Sequence, residues 1–248
     1  MNSIYDITNK LKDALRISCD DAFYFSDDET RLIDTEYLLT VNSAKSIKEL
    51  NQYFATPYKI FLEHDTEKFA TACTPLFGTK SDDNSYDLTV RTNNNTVRPG
   101  KIDIAIYLTD NGIDIPLCAI EVKGFNPRKG NIIDDLKRNA EYFLISSPTG
   151  VSTLSFTLFM ALHSYKKTMT DQKESSNIRK LHKRYDKYME DILLPSDVSH
   201  RIEVLTIRRG RVPEPDDPYT REWGLQGNED YQFIGAIVCF HRAGFGTC

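Results

Sequence analysis

Residues 101–123 constrain the fold most strongly, because apolar and polar side chains alternate there on both sides of a turn signal. In the first half the apolar positions are Ile102, Ile104, Ile106 and Leu108. The turn signal Asp110-Asn111-Gly112 follows, and a second apolar run then ends in Glu121, Val122 and Lys123. A period of two places successive residues on opposite faces of a strand, so this segment predicts an antiparallel hairpin.

The register of this hairpin decides which polar side chains meet. A two-residue turn at Asn111-Gly112 pairs residues whose numbers sum to 223, which places Asp103 opposite Ile120 and mismatches the two apolar faces. A sum of 224 places Asp103 opposite Glu121 and aligns the apolar residues of both strands. We therefore predict the second register, reached through an odd-length turn such as three residues with a bulge at Gly112.

Two carboxylates opposite each other on a hairpin destabilise it, because like charges repel across neighbouring strands. A divalent cation bound between Asp103 and Glu121 would remove that penalty, and oxygen ligands suit Mg²⁺, with Mn²⁺ as an alternative. Lys123 lies two residues after Glu121 and therefore shares its face of the strand. Its ammonium group can orient and polarise a water molecule and stabilise a phosphate. This set of groups is sufficient for phosphodiester hydrolysis.

The segments Gly100-Lys101-Ile102-Asp103-Ile104 and Ala119-Ile120-Glu121-Val122-Lys123 resemble the signature of the PD-(D/E)XK nuclease superfamily, the restriction-endonuclease-like fold. In that pattern an aspartate opens one strand and E-x-K ends the next, followed by a helix. The residue before the aspartate is proline in the family's name, but it varies and is isoleucine here. The resemblance covers about residues 26–162.

The resemblance implies metal ligation by Asp103, Glu121 and the carbonyl of Val122, with Lys123 assisting the attacking water. Many members also carry an acidic residue on the helix before the sheet, and Glu36 is the best match, so we expect a catalytic role for it. The implied cofactor is Mg²⁺ or Mn²⁺, and the implied partner is nucleic acid, DNA in the first instance. A homodimer is expected by analogy alone.

Several basic and polar residues are predicted to contact nucleic acid. Two of them, Arg138 and Asn139, lie on the helix that follows the hairpin in the resemblance. The others lie in two basic runs of an otherwise acidic chain and are Arg179, Lys180, Lys183, Arg184, Arg208, Arg209 and Arg211. A solvated helix face is the competing interpretation of the first run.

The remaining pattern predicts an α/β class of fold. Helices are expected from near Ser26, where residues 26–29 fit a capping box, from Thr35, over residues 132–145 with Asn131 as the cap, and over residues 177–194. Further strands are expected over residues 59–62, 86–90, 154–162, 202–207 and 233–240, and loops over residues 81–85, 92–100, 171–176 and 211–218.

With the resemblance, this order predicts a restriction-endonuclease-like mixed β-sheet flanked by helices, with a C-terminal α/β extension. We expect one nuclease domain over residues 1–248, with its core at about 26–162 and the extension at about 163–248.

Composition bears on nucleic-acid binding, membrane association and the state of the cysteines. A net charge of −5 counts against nucleic-acid binding but does not exclude it, because charge can be segregated on the surface. No apolar run approaches the roughly 20 residues of a membrane span, and the N-terminus lacks the pattern of a secretory signal, so we expect a cytoplasmic protein that does not bind membranes. The five cysteines are scattered singly, which predicts reduced and mostly buried thiols.

The leading hypothesis is therefore a Mg²⁺-dependent nuclease acting on DNA in restriction, phage defence or repair. The alternative is a non-catalytic nucleic-acid-binding or protein-interaction module that retains the fold. A third interpretation makes Asp103, Glu121 and Lys123 an exposed cross-strand ladder of ion pairs.

Overall fold

The computed structural model describes residues 3–26, 35–53, 57–75, 78–80, 86–88, 100–110, 112–147, 150–166, 170–211 and 230–244. Its helices are α1 (Ser3–Ser26), α2 (Glu36–Glu49), α3 (Thr66–Ala72), α4 (Lys129–Leu144) and α5 (Asp171–Met189), and a 3₁₀ turn (Leu50–Tyr53) follows α2. Its strands are β1 (Lys59–Asp65), β2 (Gly78–Lys80), β3 (Tyr86–Leu88), β4 (Lys101–Asp110), β5 (Ile113–Phe125), β6 (Ser146–Ser147), β7 (Gly150–Val151), β8 (Phe156–Lys166), β9 (Val198–Arg211) and β10 (Asp230–Arg242).

Six of these strands form one mixed sheet in the order β1-β4-β5-β8-β10-β9. The pairing of β5 with β8 is parallel, and the other four neighbouring pairs are antiparallel. Helix α4 makes the crossover between the parallel strands, as parallel neighbours require. The predicted α/β class with a mixed sheet flanked by helices is therefore confirmed.

The hairpin of β4 and β5 has the predicted register at its far end, but it reaches that register differently. Near the turn, Asp110 pairs with Ile113, so the turn has two residues rather than the odd number that was predicted. Further along, Ile106 pairs with Cys118 and Ile104 with Ile120, which is the register that brings Asp103 to Glu121. The change occurs at a β-bulge between the two halves.

The bulge lies beside Pro116 rather than at Gly112. Proline has no N–H to give to the ladder, so an interruption costs less there than at a residue that donates. An extra residue, Leu117, is thus accommodated within β5, and the expectation of an odd-length turn was wrong.

Both faces of the central strands are buried, under different helices. On one face α1 and α2 cover an apolar core that includes Ile7, Leu11, Leu39, Ile104, Ile120 and Val122. On the other face α4 and α5 cover a core that includes Leu136, Phe143, Phe159, Tyr185 and Val238. A smaller cluster beneath α3 contains Phe69, Ala105, Tyr107, Ala119 and Tyr142.

Three local predictions differ from the structure. Ser26 ends helix α1 rather than starting a helix, and residues 27–34 lie outside the described part of the chain. Helix α4 begins at Lys129, so Asn131 lies inside it and Arg128 holds the cap position. Residues 171–176 form the first turns of α5, with Thr170 accepting a hydrogen bond from the amide of Lys173.

The helix that begins after Thr35 and the five predicted strands are present, each with shifted bounds. In the C-terminal third, β9 and β10 extend the same sheet, and α5 packs against them. Of the residues predicted as loops, 81–85, 92–99 and 212–218 lie outside the described residues, Gly100 lies outside the helices and strands, and Arg211 is the last residue of β9 rather than part of a loop. Cys19, Cys73, Cys118 and Cys239 are buried. Among the helices described, none has the length and apolar character that a membrane crossing requires.

Candidate active site

Asp103 and Glu121 meet where the backbone ladder of the hairpin ends. The last paired residues are Ile104 and Ile120, and beyond them the amide of Val122 donates to Asp103 Oδ2 at 2.6 Å. Asp103 and Glu121 are close enough for their carboxyl groups to influence each other's pKa. Glu121 is 1% exposed, so the predicted pair of carboxyl groups is present and is far more buried than an exposed ion-pair ladder would be.

Lys123 connects this pair to helix α2. Its Nζ donates to Glu36 Oε1 at 2.9 Å and to the carbonyl oxygen of Val122 at 3.0 Å. The amide of Gly124 points to the other oxygen of Glu36 at 3.5 Å. Glu36 is the first residue of α2, which explains how a helix on the opposite face of the sheet reaches the site. Glu36 therefore lies beside the hairpin, as the resemblance implies.

Helix α4 closes the site from the other side. Arg138 Nη1 donates to Glu121 Oε1 at 3.0 Å, and Arg138 Nη2 lies 3.6 Å from Asp135 Oδ1. Asp135 Oδ2 in turn lies 3.4 Å from Lys123 Nζ. We refer to Glu36, Asp103, Glu121, Lys123, Asp135 and Arg138 as the site cluster.

Asp135 belongs to the site cluster but was not predicted from the sequence. It is 5% exposed, and its Oδ2 makes no hydrogen bond within the described structure, although the ammonium group of Lys123 is at ion-pair distance. A buried carboxylate oxygen without a hydrogen bond is uncommon and calls for an explanation. The helical pattern contains a signal for it, because Asp135, Asn139 and Tyr142 lie at positions i, i+4 and i+7 beside the apolar stripe of α4.

Burial dominates the acid–base properties of the cluster. It raises the pKa of Glu121 to about 8, with repulsion from Asp103 adding to the rise and Arg138 opposing it. Burial likewise raises the pKa of Asp103, against the hydrogen bond from Val122 and the attraction of Lys123. The pKa of Asp135 is also raised by burial, although Lys123 and Arg138 oppose the rise.

Lys123 remains a cation. Burial by itself lowers the pKa of Lys123, but the carboxyl groups of Asp135, Glu36 and Asp103 together outweigh burial and raise it. At neutral pH its ammonium group is therefore a hydrogen-bond donor and cannot act as a general base.

The donor atoms of the cluster fit a hard divalent cation in chemical type. Asp103, Glu121 and the Val122 carbonyl offer oxygen atoms, which Mg²⁺ and Mn²⁺ prefer. When ionised, Asp103 and Glu121 would supply negative charge to such a cation, and Asp135 Oδ2 lies nearby without a hydrogen bond. Within the described ranges, however, no three acidic, histidine or cysteine side chains are already gathered as a metal-binding group. Arg138 and Lys123 occupy oxygen atoms of Glu121 and Val122 instead.

The residues predicted to contact nucleic acid fall into different settings. Asn139 is fully buried and donates to the carbonyl of Leu158 at 2.9 Å, so its predicted role as a contact is replaced by a structural one. Arg208 pairs with Asp20 of α1, and Arg209 pairs with Asp171 and Glu174 of α5. These two arginines therefore tie β9 to the helices on both faces of the sheet.

The basic run of α5 is exposed. Arg179, Lys180, Lys183 and Arg184 all face outward from the helix, which packs on the same face of the sheet as α4. The side chain of Arg211 lies outside what the structure describes.

Comparison of the chain with protein-family models, with curated proteins and with solved structures gave no match.

Proposed function

We propose that this protein is a metal-dependent nuclease of the PD-(D/E)XK kind that hydrolyses phosphodiester bonds, with DNA as the first substrate to test. The observation that carries the proposal is the convergence of Asp103, Glu121 and Lys123 at the buried end of one hairpin. Two further features support it. Glu36 reaches the site from the preceding helix, and α4 follows the strand that carries E-x-K, in the order that the resemblance implies.

Each side chain has a role in this proposal. Asp103, Glu121 and the Val122 carbonyl would hold the divalent cation, which supplies positive charge for the phosphate and an acidified water. Lys123 is held between Glu36 and Asp135 and donates a hydrogen bond to the attacking water or to a phosphate oxygen. Burial of Glu121 excludes bulk water from the reacting atoms and strengthens these interactions.

The experiment is cleavage of supercoiled plasmid, single-stranded DNA and RNA in Mg²⁺ or Mn²⁺, with EDTA as the control. Asp103→Asn should lower the cleavage rate by at least about a hundredfold, since it removes a charge at the reacting centre. Asp114→Asn is the matched control, because Asp114 is an exposed carboxylate near the turn of the same hairpin. Equal rates in the two variants, or activity that survives EDTA, would reject the proposal.

The exposed basic face of α5 is proposed to contact the phosphate backbone. Reversing two charges, as in Lys183→Glu with Arg184→Glu, should weaken nucleic-acid binding and reduce the slope of log K against log[salt] by about 1 to 2. Fluorescence anisotropy over a salt series measures both quantities. An unchanged slope would assign these residues to a solvated helix face.

The second candidate is a non-catalytic binding module, and two observations favour it. The cluster already contains two cations, and its acidic side chains are not gathered as a metal site in the described structure. The same cleavage assay separates the two functions, because a module would bind nucleic acid without cutting it under any of these metal conditions.

A further inference from the structure

Arg138 occupies one of the two carboxylate oxygens of Glu121. Its Nη1 is 3.0 Å from Glu121 Oε1, and the Glu121 side chain is only 2% exposed. A buried acidic oxygen that already accepts a charged hydrogen bond is less available to another cation. Under the proposed function, Arg138 and the metal compete for one side chain.

Arg138 also has two further partners at hand, the carbonyl oxygen of Lys101 at 3.5 Å from its Nη1 and the carboxyl group of Asp135. Asp135 lies one helical turn earlier on α4, with its Oδ1 3.6 Å from Arg138 Nη2. The Arg138 side chain is 28% exposed, so it borders solvent and can turn away from Glu121 without leaving the surface of the site. Asp135 would then hold it close to its present place.

The charges of the cluster point in the same direction. Glu36, Glu121 and Asp135 pair with the two cations Lys123 and Arg138, and the carboxyl group of Asp103 interacts electrostatically with Lys123. When all four carboxyl groups are ionised, two negative charges remain, which is the charge that one divalent cation would balance. The protein therefore neutralises part of its own site and leaves the remainder for a ligand.

We infer that Arg138 is an internal counter-cation of Glu121, which a divalent cation displaces and which Asp135 then retains at the edge of the site. This inference rests on the proposed function. Arg138 acts through Glu121 before substrate binds and is thus a positioning residue.

The test is calorimetric titration of the full chain with Mg²⁺ alone, at pH 9 so that protons compete weakly for Glu121. Arg138→Gln removes the competing charge and should tighten Mg²⁺ binding about tenfold, the effect of one charged hydrogen bond. Arg16→Gln removes an arginine from an exposed ion pair on α1 and should bind Mg²⁺ as the wild type does. Arg138→Lys cannot span Glu121 and Asp135 as a fork and should give a smaller gain.

The outcomes separate the two proposals. Equal or weaker Mg²⁺ binding by Arg138→Gln would overturn the inference and leave the metal site standing. If Mg²⁺ binds neither the wild type nor the variant, the nuclease proposal falls and the inference falls with it. If Arg138→Gln fails to fold, a structure of the wild type with Mn²⁺ decides. We expect the contact between Arg138 and Glu121 to be broken there, and an intact contact beside bound Mn²⁺ would overturn the inference.

Discussion

The two ends of the β4–β5 hairpin carry acidic side chains in opposite electrostatic settings. Near the turn, Asp114 accepts hydrogen bonds from Lys59 at 2.7 Å and from Thr109 at 2.9 Å in an exposed position, and these lower the pKa of Asp114. At the far end, burial and the neighbouring Asp103 raise the pKa of Glu121 to about 8. On strand β5, the charged form of Asp114 thus stabilises the folded state, whereas the charged form of Glu121 destabilises it.

This difference is the one expected between a structural ion pair and the proposed site. A carboxylate that serves stability is placed beside a cation and in water, as Asp114 is. Glu121 is placed beside another carboxyl group and away from water, which is unfavourable for folding and useful for binding a cation. Strongly perturbed acids of this kind mark the end of the hairpin where chemistry is expected.

The largest expected effect comes from the lysines at the two ends. Lys123→Ala should lower the cleavage rate by about a hundredfold to a thousandfold, because it removes a positioned donor at the reacting centre. Lys59→Ala removes the exposed partner of Asp114 and should leave the rate unchanged. Single-turnover cleavage measures both. Thermal melting should show little change for either variant, and a rate loss that only accompanies unfolding would make Lys123 structural.

The next effect is on stability, measured in EDTA. The pKa of Glu121 is higher in the folded state than in the unfolded chain, so folding takes up a proton between about pH 4.5 and 8. Its contribution to stability is complete below the unfolded pKa and is lost as pH rises through the folded pKa of about 8. Glu121→Gln cannot ionise, so its stability relative to the wild type should rise by up to about 1.4 kcal/mol per pH unit over that range.

Urea denaturation of both proteins between pH 5 and pH 8.5 checks this gain. A stability difference that stays flat with pH would mean that Glu121 is charged throughout and compensated in the folded state. Metal binding should reduce the difference, because a bound cation stabilises only the wild type by mass action.

The smallest effect belongs to Asp114, and its sign is opposite. The folded pKa of Asp114 is lowered, so its contribution is present above the unfolded pKa and is lost as pH falls through the folded one. Because the group is exposed, we expect Asp114→Asn to cost only a few tenths of a kcal/mol at pH 7. Denaturation at pH 7 and pH 2.5 should show that cost disappearing at acid pH. A cost that grows on acidification would contradict the comparison.

The sequence predicted the hairpin and its pairing because burial of both strand faces leaves little freedom of register. The alternation of Ile102, Ile104 and Ile106 could align with the second strand in only one way. The location of the bulge was not predicted, since the turn residues Asn111-Gly112 and the apolar faces gave conflicting registers. The β-bulge beside Pro116, where the chain has no N–H to donate, resolves that conflict.

Two other features were missed for different reasons. Helix α1 does have an apolar stripe, with Ile4, Ile7, Leu11 and Leu15 at helical spacing, and periodicity alone would have found it. The position of Asp135 beside the apolar stripe of α4 gives a signal for its burial, but its pairing with Lys123 of β5 joins two elements and could not be predicted from that spacing. Roles that arise from tertiary contacts of this kind leave little trace in local sequence.

The order of the strands has a consequence for how such a protein can diversify. The sheet consists of two antiparallel halves, β1-β4-β5 and β8-β10-β9, joined along the single parallel seam between β5 and β8. All six side chains of the site cluster come from the first half and from helices α2 and α4. The second half lies next to the site cluster without contributing to it, and the basic helix α5 packs against this half. Under the proposed function, mutations in the second half could change nucleic-acid binding while the proposed catalytic residues remain on the other side of the seam.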